Sequence, residues 1–217
     1  MSNLKFVHSG GNSVSLTTPT SNPGSNVTFK LPAADGSANE VLKPDGSGNL
    51  SFVAQPTGGL SNVVQFRTTQ HQQQDNGDQY EVLIHWEKTD NTDAGQIGSF
   101  SNPSTGVFTF PSTGIYLVTI NANFEESGSG GHNYAGFYLK YTTNNSSYIT
   151  GSFGGNNIAA LGGSTFGFVS VNFTFDVTDV STHKIRFHTI ASGAGMVVAG
   201  ASSYNTFWAE FTRLGDT

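Results

Sequence analysis

The sequence predicts an all-β protein, a sandwich or barrel of many short strands. Three observations carry this expectation. Aromatic and β-branched runs recur at short spacing, separated by Gly, Pro, Asn and Asp clusters that favour turns. Gly is abundant at 27 residues, while charged residues make up only 11%, against about 25% in an ordinary soluble domain. No window carries a helical apolar period with caps.

The composition also bounds the function. The 217 residues include 17 Phe, 7 Tyr and 2 Trp, enough aromatic mass for a core. A chain of this length buries roughly 70% of its unfolded surface and needs no staple. There is no cysteine, which excludes disulfides, thiolate metal sites and cysteine nucleophiles. No apolar run approaches the roughly 20 residues that span a bilayer, so no membrane insertion is expected. The start, MSNLKFVHSGGN, lacks the apolar core of a signal peptide. The net charge is −6 and no Lys/Arg cluster exists, which argues against nucleic acid as a partner.

Two regions are expected, residues 1–59 and 60–217, joined near the Pro and paired Gly of residues 55–59. In the first, residues 4–8 and 14–17 flank Gly10-Gly11-Asn12, a hairpin signature. Residues 26–32 alternate apolar and polar and read as a half-buried strand. Residues 40–43 and 49–53 flank Pro44-Asp45-Gly46-Ser47-Gly48, a second hairpin. So little apolar mass is marginal alone. Such a segment wraps around its own copies or docks on a partner, and Phe6, Val14, Leu16, Phe29, Leu42, Leu50 and Phe52 are its attachment candidates.

The second region carries longer strands, read at residues 62–67, 80–86, 106–110, 115–120, 135–141, 166–175, 183–188 and 207–211. Residues 115–120 are apolar on both faces except at Thr119, and residues 166–175 leave little polar face. One face of an antiparallel sandwich strand is ordinarily wet. A strand buried on both sides therefore points to a second subunit, or to a central strand under long loops. Tyr116, Val118, Ile120 and Phe168 are the trimer-interface candidates.

Gly106 to Ile120, Gly-Val-Phe-Thr-Phe-Pro-Ser-Thr-Gly-Ile-Tyr-Leu-Val-Thr-Ile, resembles the strand–turn–strand signature of the complement-head and tumour-necrosis-factor-like jelly rolls. Residues 135–140 and 203–211 stand where that family places later strands. The resemblance covers roughly residues 60–215. It implies a C-terminal jelly-roll head and a homotrimer that binds partners through exposed loops and subunit grooves. The N-terminal pieces, Ser-Leu-Thr-Thr-Pro, Val-Thr-Phe-Lys-Leu-Pro and Val-Leu-Lys-Pro-Asp-Gly-Ser-Gly-Asn-Leu-Ser-Phe, are similar to segments of tailed-phage fibres. The closing Arg213-Leu214-Gly215-Asp216-Thr217 resembles the end of such phage proteins. These resemblances imply a virion surface location, on the tail or the capsid exterior, with the β-hairpins as an extended attachment segment bound to other virion proteins.

Candidate chemistry is sparse. Asp75-Asn76-Gly77-Asp78 and Asp90-Asn91-Thr92-Asp93 are oxygen-rich but lack EF-hand spacing, and turns explain them. The six His form no helix pair or metal-ligand cluster. Glu125 and Glu126 are adjacent on a strand and point apart, unlike a glycosidase pair. No enzyme activity, metal or other cofactor is expected. Gln72, Gln73, Asn144, Asn145 and Tyr148 combine amides with an aromatic, as carbohydrate recognition does, and are receptor-loop candidates for a host-surface glycan or protein; solvated loops explain them equally. The expected function is a short trimeric fibre or spike whose head contacts the host. The alternative is a capsid decoration protein, favoured by the brevity of the chain, and a polysaccharide depolymerase is a minor one.

Overall fold

A computed structural model describes residues 4–55, 60–74, 80–81, 84–103, 105–126, 132–159, 164–193 and 195–217. For residues 73–74, 80–81 and 132 it describes the backbone alone. The oxygen-rich stretch Asp75 to Asp78 and most of the joint at residues 55–59 lie outside the described residues. The chain forms two compact units, Met1–Gly58 and Gly59–Thr217.

The first unit holds two hairpins. β1 (Leu4–Val7) pairs antiparallel with β2 (Ser13–Leu16), Phe6 opposite Val14 and Leu4 opposite Leu16. The turn closes through Gly11, whose φ of 92° only glycine adopts without strain. β3 (Glu40–Pro44) pairs with β4 (Leu50–Ala54), Leu42 opposite Phe52. Asp45 organises this turn. Its carboxylate accepts hydrogen bonds from the Ser47 amide at 2.7 Å and the Asn49 side chain at 2.6 Å. The alternating stretch 26–32 is not a strand. Only Lys30 makes a bridge, to Asn49, and Val27, Phe29 and Leu31 stay exposed. Alternation alone leaves a strand without a partner ladder, and none is offered within this unit.

The second unit is a sandwich of two antiparallel sheets. The larger has seven strands: β5 (Val63–Thr68), β6 (Gln72–Gln74), β8 (Trp86–Lys88), β10 (Gly114–Glu126), β13 (Thr165–Val177), β15 (Met196–Val198) and β16 (Phe207–Gly215). The smaller has five: β7 (Tyr80–Glu81), β9 (Phe108–Thr109), β11 (His132–Thr142), β12 (Ile149–Ile158) and β14 (Lys184–Ala191). From β6 to β15 the chain changes sheet at every step except between β11 and β12, the crossing pattern of a jelly roll. β10 is the spine of the larger sheet, with β13 along one edge and β16 followed by β15 along the other. The expected continuous strand at 80–86 is broken. β7 and β8 belong to different sheets, and His85 between them has a φ of 67°.

Alternation along the strands builds the core. Phe66, Phe108, Phe124, Phe137, Phe187, Phe207 and Phe211 are fully buried between the sheets. Phe108 stacks on Phe211 at 5.0 Å, and Trp86 meets Phe108 edge-on at 5.1 Å. Each such ring contributes about 1.5–3 kcal/mol by leaving water, with edge and offset contacts adding to that. The Pro-Ser-Thr-Gly turn is held by the Tyr116 hydroxyl, which donates to the Ser112 carbonyl at 3.0 Å. Gly114 is required there. Its φ is 143°, and a Cβ would fall 2.5 Å from the Gly215 carbonyl oxygen.

Candidate functional site

The outward face of the larger sheet is divided into an apolar and a polar part. On β13 the side chains of Val169, Val171, Phe175 and Val177 enter the core, and those of Phe166, Phe168, Ser170, Asn172, Thr174 and Asp176 turn outwards. Phe166 is 64% exposed and Phe168 49%. Phe168 reaches across β10 to Trp208 on β16, with ring centroids 6.0 Å apart. Their meeting leaves Asn121, the residue opposite Trp208, largely covered. Ile115 and Leu117 on β10 are half-buried on the same face. Further across, Gln65 donates to Glu210 at 2.8 Å and accepts from Asn205 at 3.1 Å, giving a polar network over β5 and β16.

This geometry corrects the interface assignment. Tyr116, Val118 and Ile120 are 0% exposed in a single chain, inside the sandwich. A second subunit has nothing left to cover. Residues opposite one another in a ladder share a face, and Val118 stands opposite Phe173 while Phe168 stands opposite Asn123. Phe168 therefore lies on the other face from Val118, and the outward set of β10 is Ile115, Leu117, Thr119, Asn121, Asn123 and Glu125.

In the N-terminal unit, Phe6, Val14, Leu16, Phe29 and Leu42 are exposed and Leu50 and Phe52 half-buried. In the first hairpin Leu4, Phe6, Val14 and Leu16 share a face, with Val7 on the other; in the second Leu42, Leu50 and Phe52 share one face and Val41 and Val53 the other.

The receptor-loop candidates do not form one site. Gln72 and Gln73 are in strand β6, paired with Val198 and Val197, and not in a loop. The short ladder with β15 uses their backbone groups. Asn144 does sit in a loop, but its carbonyl oxygen accepts from the amides of Ser146 and Ser147 and from the Thr142 hydroxyl, so it organises the turn. Asn145 adopts a φ of 55°, a conformation its short amide side chain tolerates. Tyr148 lies under the Arg186 guanidinium, 3.8 Å from ring centre to carbon.

The remaining chemistry-bearing residues have structural partners. Arg67 is 1% exposed, pairs with Glu87 at 2.7 Å and also with Asp90, so the oxygen-rich stretch at 90–93 serves a buried cation. Glu125 and Glu126 are consecutive on β10 and fall on opposite faces. Among the described residues no group of three or more His, Asp or Glu side chains is placed to hold a metal ion.

No family model matches the chain, and no curated protein matches it. Solved structures do. Eiger TNF from S. frugiperda is 13% identical with a TM-score of 0.53, over 71% of this chain and 93% of that one. Murine APRIL at pH 5.0 is 14% identical with a TM-score of 0.50, over 70% of this chain and 98% of that one. The second unit is a tumour-necrosis-factor-like jelly roll. At this identity the likeness speaks for the fold alone.

Among the described residues of the jelly roll one titratable group has a large shift. His188 on β14 is buried, and neither ring nitrogen has a hydrogen-bond partner among the described residues. Burial pushes its pKa down from 6.5 to about 4, and the charges of Lys140 and Arg186 push the same way. The unfolded chain takes up this proton near pH 6.5 and the folded chain only near pH 4. Between those values the unfolded state binds more protons, so stability falls as pH drops through that window. Denaturant melts at pH 7 and pH 4.5 are expected to differ by about 2 kcal/mol on this account. His188→Gln removes that part of the difference; an unchanged pH slope in the variant would refute the assignment.

Proposed function

We propose that the chain is a surface protein of a tailed-phage virion, a homotrimer whose jelly-roll heads are displayed for host-surface contact and whose N-terminal unit holds it to the particle. One observation carries this reading. Among the described residues of the N-terminal unit none is buried, so Leu4, Phe6, Val14, Leu16, Phe29 and Leu31 lie in water. A unit of this size with no buried side chain does not hold its fold alone. In the working protein a partner surface covers it, either its own copies or the particle. The resemblance of its three segments to phage fibres supports the particle, and the patch of exposed Phe166 and Phe168 with half-buried Trp208 supports self-association of the heads.

The test is truncation followed by counting. Protein lacking residues 1–58 is expected to remain folded and trimeric, because the sandwich has its own core, and to lose detectable binding to phage particles depleted of this chain. Retained binding by the truncated head would place the anchor elsewhere. Quantitative mass spectrometry of purified particles then separates two uses of the same geometry. A few to a few tens of copies per particle fit a fibre or spike. Hundreds fit a capsid decoration protein, with the hairpin unit wedged between capsid subunits.

A further inference from the structure

The outward face of the smaller sheet carries a hollow between β11 and β12. On β11, Ala135, Phe137 and Leu139 enter the core, while Tyr134 and Tyr138 stay accessible on the other side. Tyr138 stands opposite Phe153 of β12, and their rings are 4.6 Å apart. The next pair on the same side is Gly136 opposite Gly155. A Cβ at Gly136 would fall 2.1 Å from the Gly154 carbonyl oxygen, so the backbones close up there and no side chain fits. Gly155 is bare as well, and a Cβ on it would press on the Phe153 ring at 3.2 Å. Two glycines side by side thus leave a floor with aromatic rings at one end.

The hollow has a volume of about 540 Å³ and is lined by Asn133, Tyr134, Tyr138, Phe153, Asn156 and Asn157. That is within the range of small-ligand sites, about 300–1,000 Å³. Asn157 donates to the Asn133 carbonyl at 3.2 Å, which fixes its amide on the outward face, while Asn156, opposite Ala135, turns the other way and donates to the Phe168 carbonyl of β13 at 3.4 Å. The Asn157 carbamoyl oxygen accepts no hydrogen bond among the described residues and is the acceptor the hollow offers. No charged side chain lines the hollow. Aromatic faces attract the polarised C–H face of a sugar ring. An amide both donates and accepts, as vicinal hydroxyls require. A nucleobase would suit the rings, but its phosphates would find a single ammonium at the rim, that of Lys140, 5.6 Å from the centre of the Tyr138 ring, on a chain of net charge −6.

We propose that this hollow binds a neutral oligosaccharide, with one pyranose ring over the Gly136–Gly155 floor against Phe153 and Tyr138. The proposal deepens the adhesion reading by naming the class of surface ligand, and it rests on that reading only for the biological use of the site.

The test is calorimetric titration of the full chain with maltotriose, cellotriose and chitotriose, and with sialyllactose as an acidic probe. At least one neutral trisaccharide is expected to bind saturably, with a Kd in roughly the micromolar to millimolar range. Phe153→Ala is expected to weaken it about tenfold, and Gly155→Val, which fills the floor, to abolish it. Phe153 is half exposed, so its variant keeps the wild-type melting curve. Binding of none of the neutral sugars would overturn the proposal, and so would binding that both variants leave unchanged. Binding of sialyllactose alone would also overturn it, making the Lys140 ammonium beside Tyr138, and not the uncharged floor, the recognising group. None of these outcomes bears on particle attachment, which the truncation reads separately.

Discussion

Val118→Asp unfolds the jelly roll. Val118 is fully buried at the middle of β10, flanked in register by Phe173 and Phe211. The substitution forfeits the burial of a valine side chain, about 1.5–3 kcal/mol. It also places a carboxylate where nothing polar can receive it, a mechanism that belongs to the most destabilising class of single changes, above about 4 kcal/mol. Total stabilities of domains are about 5–15 kcal/mol, so the variant retains little. The expected result is loss of the β-sheet circular dichroism signal, or a melting midpoint lowered by more than about 10 °C, with insoluble expression. Val118→Ala, which only leaves a small cavity, is expected to fold with a loss of about 1–3 kcal/mol. A soluble, wild-type-like monomer of Val118→Asp would mean that this side chain faces a partner and not the core.

The strands that dominate the sandwich were readable because their chemistry is unambiguous. The aromatic and β-branched runs read at 62–67, 115–120, 166–175 and 207–211 fall on β5, β10, β13 and β16, of which β10 continues six residues further, to Glu126, and the Pro-x-x-Gly turn before β10 marks the switch between sheets. What could not be read was which way β10 faces. Ile115 to Ile120 is apolar on both sides, so its parity is carried by neighbours and not by itself. The parity was legible one strand away. Ser170, Asn172, Thr174 and Asp176 alternate with Val169, Val171, Phe173 and Phe175 on β13, which fixes its wet side and puts Phe166 and Phe168 on it. Transferring that to β10 needs the ladder register, with Val118 opposite Phe173, and register is not local information.

β12 and the hollow beside it were hidden for a different reason. Ile-Thr-Gly-Ser-Phe-Gly-Gly-Asn-Asn-Ile has three glycines and reads as a turn by composition. Here the glycines serve close approach. A Cβ at Gly154 would lie 2.4 Å from Val171, and one at Gly151 3.1 Å from Phe173. The edge strand seats against β13 because it carries glycine at these two points of close approach. The outward positions, Phe153, Gly155 and Asn157, then form the wall and floor of the hollow. The amide-rich loop at 144–148 drew attention for its composition, yet its amide oxygen is spent on the loop's own backbone.

Replacing Phe168 and Trp208 together by Asp is expected to give a folded monomer. Both rings lie outside the core, and their only mutual ring contact is across β10. Removing them takes no side chain from the sandwich, so the melting curve should remain within a few degrees of wild type. If the heads associate through this face, the two rings are its anchors, since large aromatic groups at the centre of an interface cost about 2–4 kcal/mol each when lost. Charge in their place adds repulsion, because Glu125, Asp176 and Glu210 already make that face acidic. In a ring of copies the change is repeated at every contact, so the dissociation constant should rise by at least about a thousandfold. Light scattering of the full chain reads this directly: three chains per particle for the wild type, one for the variant. Phe153→Ala, on the opposite sheet, serves as the control and should stay trimeric. A trimeric Phe168→Asp, Trp208→Asp protein would move the contact off this face. The N-terminal hairpins, whose apolar sides stand equally uncovered, would then be the site of self-association, and the chain lacking residues 1–58 would be the monomer.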